Sequence, residues 1–146
     1  MISVVFPKTH PKAGQPTSFI SKIFNQQKKH TIRNNYELWK KRIDEVNEGK
    51  AVLDLRFWEG KPYASKQQTF KTLKQSEVGI QKLSFFDSNI DCPYAYDPNG
   101  ESNHPIYGIA DLAINDGLLL PDFKAWFKGS KLSKPMAIIH FTKFRY

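Results

Sequence analysis

The sequence predicts a small α+β protein, in which several strands with helices inserted between them form a small barrel with flanking helices. Extended and helical patterns follow one another without the regular βαβ alternation of a parallel sheet. Apolar residues make up 40% of the 146 residues and aromatic residues 14%, which is enough to fill one hydrophobic core. No internal repeat divides the chain, so we expect a single domain over residues 1–146.

The chain opens with an apolar stretch and a turn-rich loop, after which we expect the first helix. Residues 2–6 are predicted to form a strand. Thr17 is expected to cap the helix, because a threonine hydroxyl accepts hydrogen bonds from the free N–H groups at a helix start. Apolar side chains within residues 19–24 recur at helical spacing. The segment after this helix, residues 29–33, is expected to be extended.

Residues 36–46 carry the clearest helical pattern of the chain. Trp39, Ile43 and Val46 form an apolar stripe, and charged side chains occupy the opposite face. Gly49 follows at the place where a residue of left-handed conformation commonly ends a helix.

The rest of the chain is predicted as strands, two further helices and one long loop. Three proline-containing turns within residues 87–106 indicate a long irregular segment. Pro121 marks the start of the last helix, since proline is favoured in a first helical turn. The remaining predictions are strands at 51–58, 66–73, 79–86 and 135–144, a turn at 59–62, and helices at 109–115 and 122–127.

The net charge of +8 is distributed unevenly. Residues 1–74 hold fifteen Lys and Arg against six Asp and Glu, whereas residues 75–146 hold seven against eight. A basic half attracts polyanions in a salt-dependent way, although a merely soluble basic protein has the same composition.

Several classes of protein are excluded by what the sequence lacks. Cys92 is the single cysteine, so no intramolecular disulfide forms and a reducing compartment is favoured. The apolar start is too short for a signal peptide, and no run reaches the length of a membrane span. We therefore expect a cytoplasmic protein without a membrane partner. P-loop, Gly-x-Ser-x-Gly and dinucleotide-binding motifs are absent, and zinc-ligand spacings are absent too, so we expect neither a metal nor a cofactor.

The basic segment Lys28-Lys29-His30-Thr31-Ile32-Arg33 lies between the two predicted N-terminal helices. An arginine forks onto a phosphate or a base edge, lysines act as point charges, and a threonine hydroxyl donates and accepts hydrogen bonds. These residue types suit an anion or a nucleotide. The alternative is a solvated turn in which threonine only favours the strand.

Several different short motifs are distributed over most of the chain, in an order and with a spacing typical of one family. These motifs are Pro16-Thr17-x-Phe19, Lys28-x-x-Thr31-Ile32-Arg33, Trp39, Gly60-Lys61-Pro62-Tyr63, Asn115-Asp116-Gly117, Asp122-Phe123 and Ile138-Ile139-x-Phe141. Together they resemble the ASCH family of the PUA-like superfamily, in the variant found in phages and in bacterial genomes that carry prophages.

The resemblance implies a PUA-like β-barrel with helices around it and a cleft that binds RNA or a modified base. One small bacterial branch of the family is an amidohydrolase that removes the acetyl group from N4-acetylcytidine. Its catalytic lysine, threonine and glutamate correspond to Lys28, Thr31 and Asp116, with aspartate in place of glutamate. Thr31 would be the nucleophile, and Lys28, with its pKa lowered by burial and by Arg33, would be the base. Asp116 would orient the lysine or the substrate amine.

Two lysines compete for the place beside the threonine. Strict alternation along a strand puts Lys29, Thr31 and Arg33 on one face and Lys28 on the other. Lys28 reaches Thr31 only if it lies in the turn between helix and strand. Lys28 is therefore the first choice and Lys29 the substitute.

Further residues are candidates for a nucleotide-binding surface, each with a plain structural alternative. Lys29 and Arg33 belong to the basic segment, and Arg56 lies in a strand that lines the cleft or faces solvent. Lys61 and Tyr63 lie in a tight turn at a cleft rim, and Lys66 is either a phosphate contact or a solvated side chain.

Three functions follow from these patterns. The first is a module that binds a nucleotide, a modified base, RNA or another single-stranded nucleic acid between the basic segment and Asp116. The second is an amidohydrolase that acts on acylated nucleosides such as N4-acetylcytidine. The third is a protein-interaction module of phage origin that uses the acidic stretch 77–122.

Overall fold

The computed structural model describes residues 2–99, 101–106 and 108–146, and it has a mixed α+β fold. Gly100, which falls in the predicted long loop, lies outside the described residues. The described part contains two sheets and four helices. In chain order the elements are β1 (Ile2–Phe6), α1 (Phe19–Phe24), β2 (His30–Asn34), α2 (Tyr36–Asn47), β3 (Leu53–Trp58), β4 (Gln67–Leu73), β5 (Gly79–Phe85), β6 (Pro93–Tyr96), β7 (Asn103–Pro105), α3 (Ile109–Asn115), α4 (Leu120–Phe127) and β8 (Met136–His140).

The two sheets have different connectivity. The smaller sheet has the order β1-β3-β4, with β1 parallel to β3 and β3 antiparallel to β4. The larger sheet is antiparallel and has the order β2-β8-β5-β6-β7. Buried apolar side chains of both sheets belong to one core, into which α2 contributes Trp39, Ile43 and Val46 as predicted.

No closed barrel is found in the described part of the chain. β1 is an edge of the smaller sheet and β2 is an edge of the larger one. The carbonyl oxygen of Val5 on β1 accepts a hydrogen bond of 3.1 Å from Nη2 of Arg33 on β2. A side chain therefore satisfies this β1 carbonyl at the place where a ladder of backbone bonds would close a barrel. We call this place the sheet junction.

The bounds of α2 were predictable because both of its ends carry local signals. The Asn35 side chain accepts a hydrogen bond of 3.2 Å from the backbone N–H of Leu38, which caps the start of the helix. Gly49 has a φ of +77° directly after the last turn, as the sequence predicts.

The prediction that Thr17 caps α1 is wrong. The residue before Phe19 is Ser18, with a φ of +55° and no side-chain cap bond. The Thr17 hydroxyl instead donates to the carbonyl oxygen of Pro7 at 2.9 Å. Thr17 therefore fastens the loop to the residues directly after β1, because its hydroxyl bonds the carbonyl oxygens of Pro7 and Lys8.

The prediction of an irregular loop over residues 87–106 is also wrong, because this segment contains strands β6 and β7. Pro93 begins β6, where its missing N–H is tolerated, and Pro105 ends the edge strand β7. The prolines that indicated a loop thus stand at the permitted positions of two short strands. The final strand β8 ends at His140, four residues before the predicted end.

None of the helices in the described residues is both long and apolar enough to cross a membrane.

Candidate functional site

Four residues of the predicted site line one small cavity at the sheet junction. Lys28, Thr31, Arg33 and Asp116 share its wall with aromatic side chains that include Phe19. The cavity has a volume of about 20 Å³, which holds about one water molecule. We call these four side chains the Lys28 cluster.

Lys28 reaches the cavity because it precedes β2. Its backbone N–H donates to the carbonyl oxygen of Lys22 at 2.9 Å, which closes the turn after α1. The side chain is 1% exposed. Its Nζ donates to the Asp116 main-chain oxygen at 2.6 Å and to Asp116 Oδ1 at 3.1 Å. Nζ also lies 4.2 Å from the ring centre of Phe19, as in a cation–π contact.

Burial changes the acid–base properties of Lys28. Desolvation lowers the pKa of its ammonium group to about 8, although the Asp116 carboxylate opposes the shift. The charge of Arg33 lowers this pKa further. A lysine with this pKa is partly neutral near physiological pH, so Nζ can accept a proton.

Arg33 holds the Thr31 hydroxyl in place. Nη1 donates to Thr31 Oγ1 at 3.0 Å and to the Ile32 carbonyl oxygen at 3.2 Å, while Nη2 bonds Val5 across the sheet junction. Because Oγ1 accepts from Arg33, its own proton remains available. Within the described residues the hydroxyl donates no hydrogen bond to a protein acceptor. Thr31 is 2% exposed.

Asp116 lines the cavity, and Gly117 follows it beside the Lys28 stem. Asp116 follows the last residue of α3, so its carbonyl is one of the oxygens left free at a helix end, which attract cations. Gly117 has a φ of +85°, and the Gly117 carbonyl accepts a hydrogen bond of 2.8 Å from Nζ of Lys22. A Cβ at position 117 would lie 3.1 Å from Lys28 Cδ. The Asn-Asp-Gly motif therefore positions the carboxylate and leaves room for the lysine stem.

Gly117→Ala is expected to destabilise the protein by about 2 kcal/mol, because a side chain costs about 1–2 kcal/mol in the left-handed region and the new Cβ presses on Lys28. Gly129→Ala is the matched control. Gly129 has a φ of +86°, but a Cβ added there would meet nothing within 4 Å, so this variant carries the backbone cost alone. Urea unfolding of both variants measures the difference, and equal losses would show that the contact with Lys28 has no energetic weight.

His30 is a neighbour of the cluster that the sequence did not indicate. It is completely buried, its Nδ1 lies 3.5 Å from Asp116 Oδ1, and its Nε2 lies 2.6 Å from the Tyr146 hydroxyl. Burial lowers the pKa of His30, against the opposing influence of Asp116. The alternation rule assigns one strand face to solvent, but β2 is buried on both faces from His30 to Ile32. The packing of residues 141–146 beside His30 has no pattern in the sequence.

The other predicted residues lie outside the cavity. Lys29 places its Nζ 4.9 Å from the ring centre of Phe144, and Arg56 forms an ion pair of 3.2 Å with Asp54. Lys61 and Lys66 are exposed. Tyr63 is 93% exposed and packs against Trp58.

An open cleft of about 390 Å³ adjoins the cavity and shares Phe6, Pro7 and Phe19 with it. Phe57 and Lys8 form part of its remaining wall. The cleft is thus apolar, with a cation at its rim and the Lys28 cluster beyond its shared wall.

A larger cleft of about 710 Å³ lies elsewhere, between the start of α2 and residues 129–135. It shares no residue with the cavity, and its charged residues Glu37, Lys131 and Lys134 are all exposed. Size alone therefore does not identify the functional cleft, and the buried polar groups favour the smaller one.

The described residues contain no group of three or more His, Cys, Asp or Glu side chains that could hold a metal ion. The chemistry available to the cluster is that of an amine, a hydroxyl, a guanidinium and a carboxylate.

No family model, no curated protein and no solved structure matches the chain. The resemblance to the ASCH family stays a prediction.

Proposed function

We propose that the chain binds a nucleotide or a modified base in the cleft beside the Lys28 cluster. The cleft offers the partly exposed ring of Phe57 for contact with a base, and Lys8 lies at its rim where a phosphate would lie. The excess of basic residues in the first half of the chain favours an anionic ligand.

The buried pair of Lys28 and Asp116 is the observation that carries this proposal. A buried ion pair adds little to stability, because two charges lose their water to form it. Apolar side chains of similar size would fill the same space without this cost. A desolvated cluster with a lowered lysine pKa, next to a cleft, is instead typical of a binding or catalytic site.

We also propose that the two sheets form an opened version of the PUA-like barrel that the sequence resemblance implies. The contact of Arg33 with Val5 at the sheet junction supports this relation, since it joins the two edge strands that a barrel would pair. For the compartment we propose the cytoplasm, on the basis of the single cysteine.

A binding screen tests the first proposal. Nucleosides, nucleotides and short single-stranded RNA and DNA are titrated with the whole chain at low and at physiological salt. We expect saturable binding that weakens as salt rises, because phosphate contacts release counterions. Absence of binding to every probe would overturn the proposal. Capture of a protein partner that survives Lys28→Ala and Thr31→Ala would favour the interaction module instead.

A second function, hydrolysis of an acylated exocyclic amine, is favoured by the presence of Lys28 and Thr31 in one cavity. This reaction requires the wall of Phe6, Pro7 and Phe19 to move aside, because the cavity holds only about one water molecule. Thr31 Oγ1 then attacks the acyl carbon while neutral Lys28 Nζ accepts the hydroxyl proton. The C–N bond then breaks, and the Lys28 proton passes to the departing amine. Water hydrolyses the Thr31 ester and releases the carboxylic acid. Arg33 keeps Oγ1 oriented, and Asp116 keeps Nζ in the cavity.

Incubation with N4-acetylcytidine tests the second function directly, with chromatography to follow the release of cytidine. We expect turnover in mildly alkaline buffer, where Lys28 is mostly neutral. A chain that binds the nucleoside but leaves it unchanged is a binding module and not a hydrolase.

A further inference from the structure

We propose that an aromatic strip beside the cleft binds the neighbouring base of a single-stranded nucleic acid, so that the ligand is a base within a strand. We define the aromatic strip as Phe57, Phe70 and Phe24 with the cations Lys8 and Lys71. This inference rests on the proposed binding of a base in the cleft, and it adds a second subsite along the strand.

The three rings of the strip form a continuous row. The ring centres of Phe57 and Phe70 are 6.2 Å apart, and those of Phe70 and Phe24 are 6.0 Å apart. Phe57 belongs to the wall of the cleft, so the row begins at the first subsite. Phe24 ends the row at the last turn of α1 and is 56% exposed. A large apolar ring so exposed and joined to a cleft indicates a contact surface.

A bulge in β4 brings Phe70 into this row. Leu55 pairs with Lys71 and Arg56 pairs with Thr69, so Phe70 is the extra residue of the ladder. A bulge re-aims the side chain of the extra residue. Phe70 consequently packs between Phe57 and Phe24 and also contacts Phe6, at 6.1 Å between ring centres. β4 is an edge strand, so no further strand of the described sheet pairs with its free side.

Two lysines lie over rings of the strip. Lys8 Nζ is 4.9 Å from the ring centre of Phe57, and Lys71 Nζ is 5.7 Å from that of Phe24. Neither lysine forms an ion pair with a carboxylate in the described part of the chain. Lys8 Nζ also donates to the main-chain oxygen of Glu59 at 3.1 Å. Rings interleaved with cations that form no ion pair match the alternation of bases and phosphates in a single strand.

The charge of the strip favours a nucleic acid over a protein partner. The strip contains two cations and no carboxylate, and the half of the chain that supplies it carries fifteen basic residues against six acidic ones. A protein partner would bind the exposed apolar ring with weak dependence on salt, whereas a polyanion would bind with a steep one.

Fluorescence anisotropy of labelled single-stranded RNA and DNA tests this subsite, with Phe24→Ala as the main variant. Because this variant removes one ring on which a base stacks, we expect binding of the oligonucleotide to weaken by about 5- to 100-fold. Phe86→Ala is the matched control, since Phe86 is 70% exposed but follows β5 of the larger sheet and does not belong to the strip. Phe24→Leu keeps an apolar side chain of similar size, and we expect it to lose most of the same affinity. Lys71→Ala should reduce the slope of log Kd against log salt by about one.

The outcomes separate this subsite from the cleft. Equal affinity of Phe24→Ala and Phe86→Ala for the oligonucleotide would overturn the aromatic strip, as would full affinity in Phe24→Ala. Binding of a free nucleoside without any gain from a longer strand would also overturn it while leaving the proposed function intact. Strand binding that depends on Phe24 without any hydrolysis would support the strip and reject the hydrolase. Thermal unfolding of each variant confirms that the fold is retained.

Discussion

Lys28→Ala is expected to lower hydrolysis of an acylated nucleoside by about 100- to 10,000-fold, which is the usual contribution of a general base. Lys28 supplies an amine to the cavity. Its pKa of about 8 means that the Lys28 side chain is neutral in about one tenth of the molecules at pH 7. In the wild-type chain the rate should therefore rise with pH and level off above about 8. Steady-state rates of cytidine release between pH 6 and pH 9.5 measure both effects.

The neighbouring lysine provides the matched control for this prediction. Lys29→Ala is expected to cost less than about tenfold, because Lys29 lies over Phe144 and outside the cavity. Lys28→Met keeps most of the apolar stem and separates loss of the amine from loss of packing. Full activity in Lys28→Ala, an equal loss in Lys29→Ala, or a rate that does not change across this pH range would each reject Lys28 as the base.

Asp116→Asn is expected to lower the free energy of unfolding by about 3 kcal/mol at pH 7, because removing one partner leaves a buried charge without compensation. Lys28 Nζ would keep the Asp116 main-chain oxygen but lose the carboxylate at 3.1 Å. Urea unfolding at pH 7 measures the loss. Asp44→Asn removes an exposed partner of Lys40 and should cost less than about 1 kcal/mol, as surface pairs do.

The loss in Asp116→Asn should become smaller as pH rises. Below about pH 8 Lys28 is protonated in both the folded and the unfolded chain, and the folded state carries the full cost of the buried charge. Above this pH the folded state releases the proton first, because the unfolded pKa is about 10.4, so stability increases. Asp116 raises the pKa of Lys28, so its removal moves this increase to lower pH. An equal loss at pH 7 and pH 9.5 would contradict the buried charge as the cause.

The sequence allowed the helices and most strands to be predicted, because their signals are local. The stripe of Trp39, Ile43 and Val46 and the glycine after it determine α2 without help from the rest of the chain. Strands β6 and β7 were missed because their prolines carry the same local signal in a loop and at a strand end. The hydrogen bond between the two sheets joins Arg33 to a carbonyl 28 residues away, which no local pattern encodes.

The sequence predicted only part of the candidate site. The family resemblance grouped Lys28, Thr31 and Asp116, and these three residues line one cavity with Arg33, whereas the other five predicted residues lie outside it. Which lysine enters that cavity depends on where β2 begins, a boundary that sequence patterns determine only within a few residues. His30 escaped notice because a strand buried on both faces does not follow the alternation of a half-exposed one.

The position of Arg33 at the sheet junction also constrains how the chain acquires its site during folding. The cavity needs Val5, the strand that contains Thr31, and the end of α3, and the bond between Lys28 and Asp116 spans 88 residues. Contacts between segments so distant in sequence form late, after the local helices and hairpins. The four side chains of the Lys28 cluster come from the turn before β2, from β2 and from the end of α3, and the smaller sheet adds the Val5 carbonyl that holds Arg33. A nascent or truncated chain that ends before Asp116 therefore lacks the carboxylate partner of Lys28.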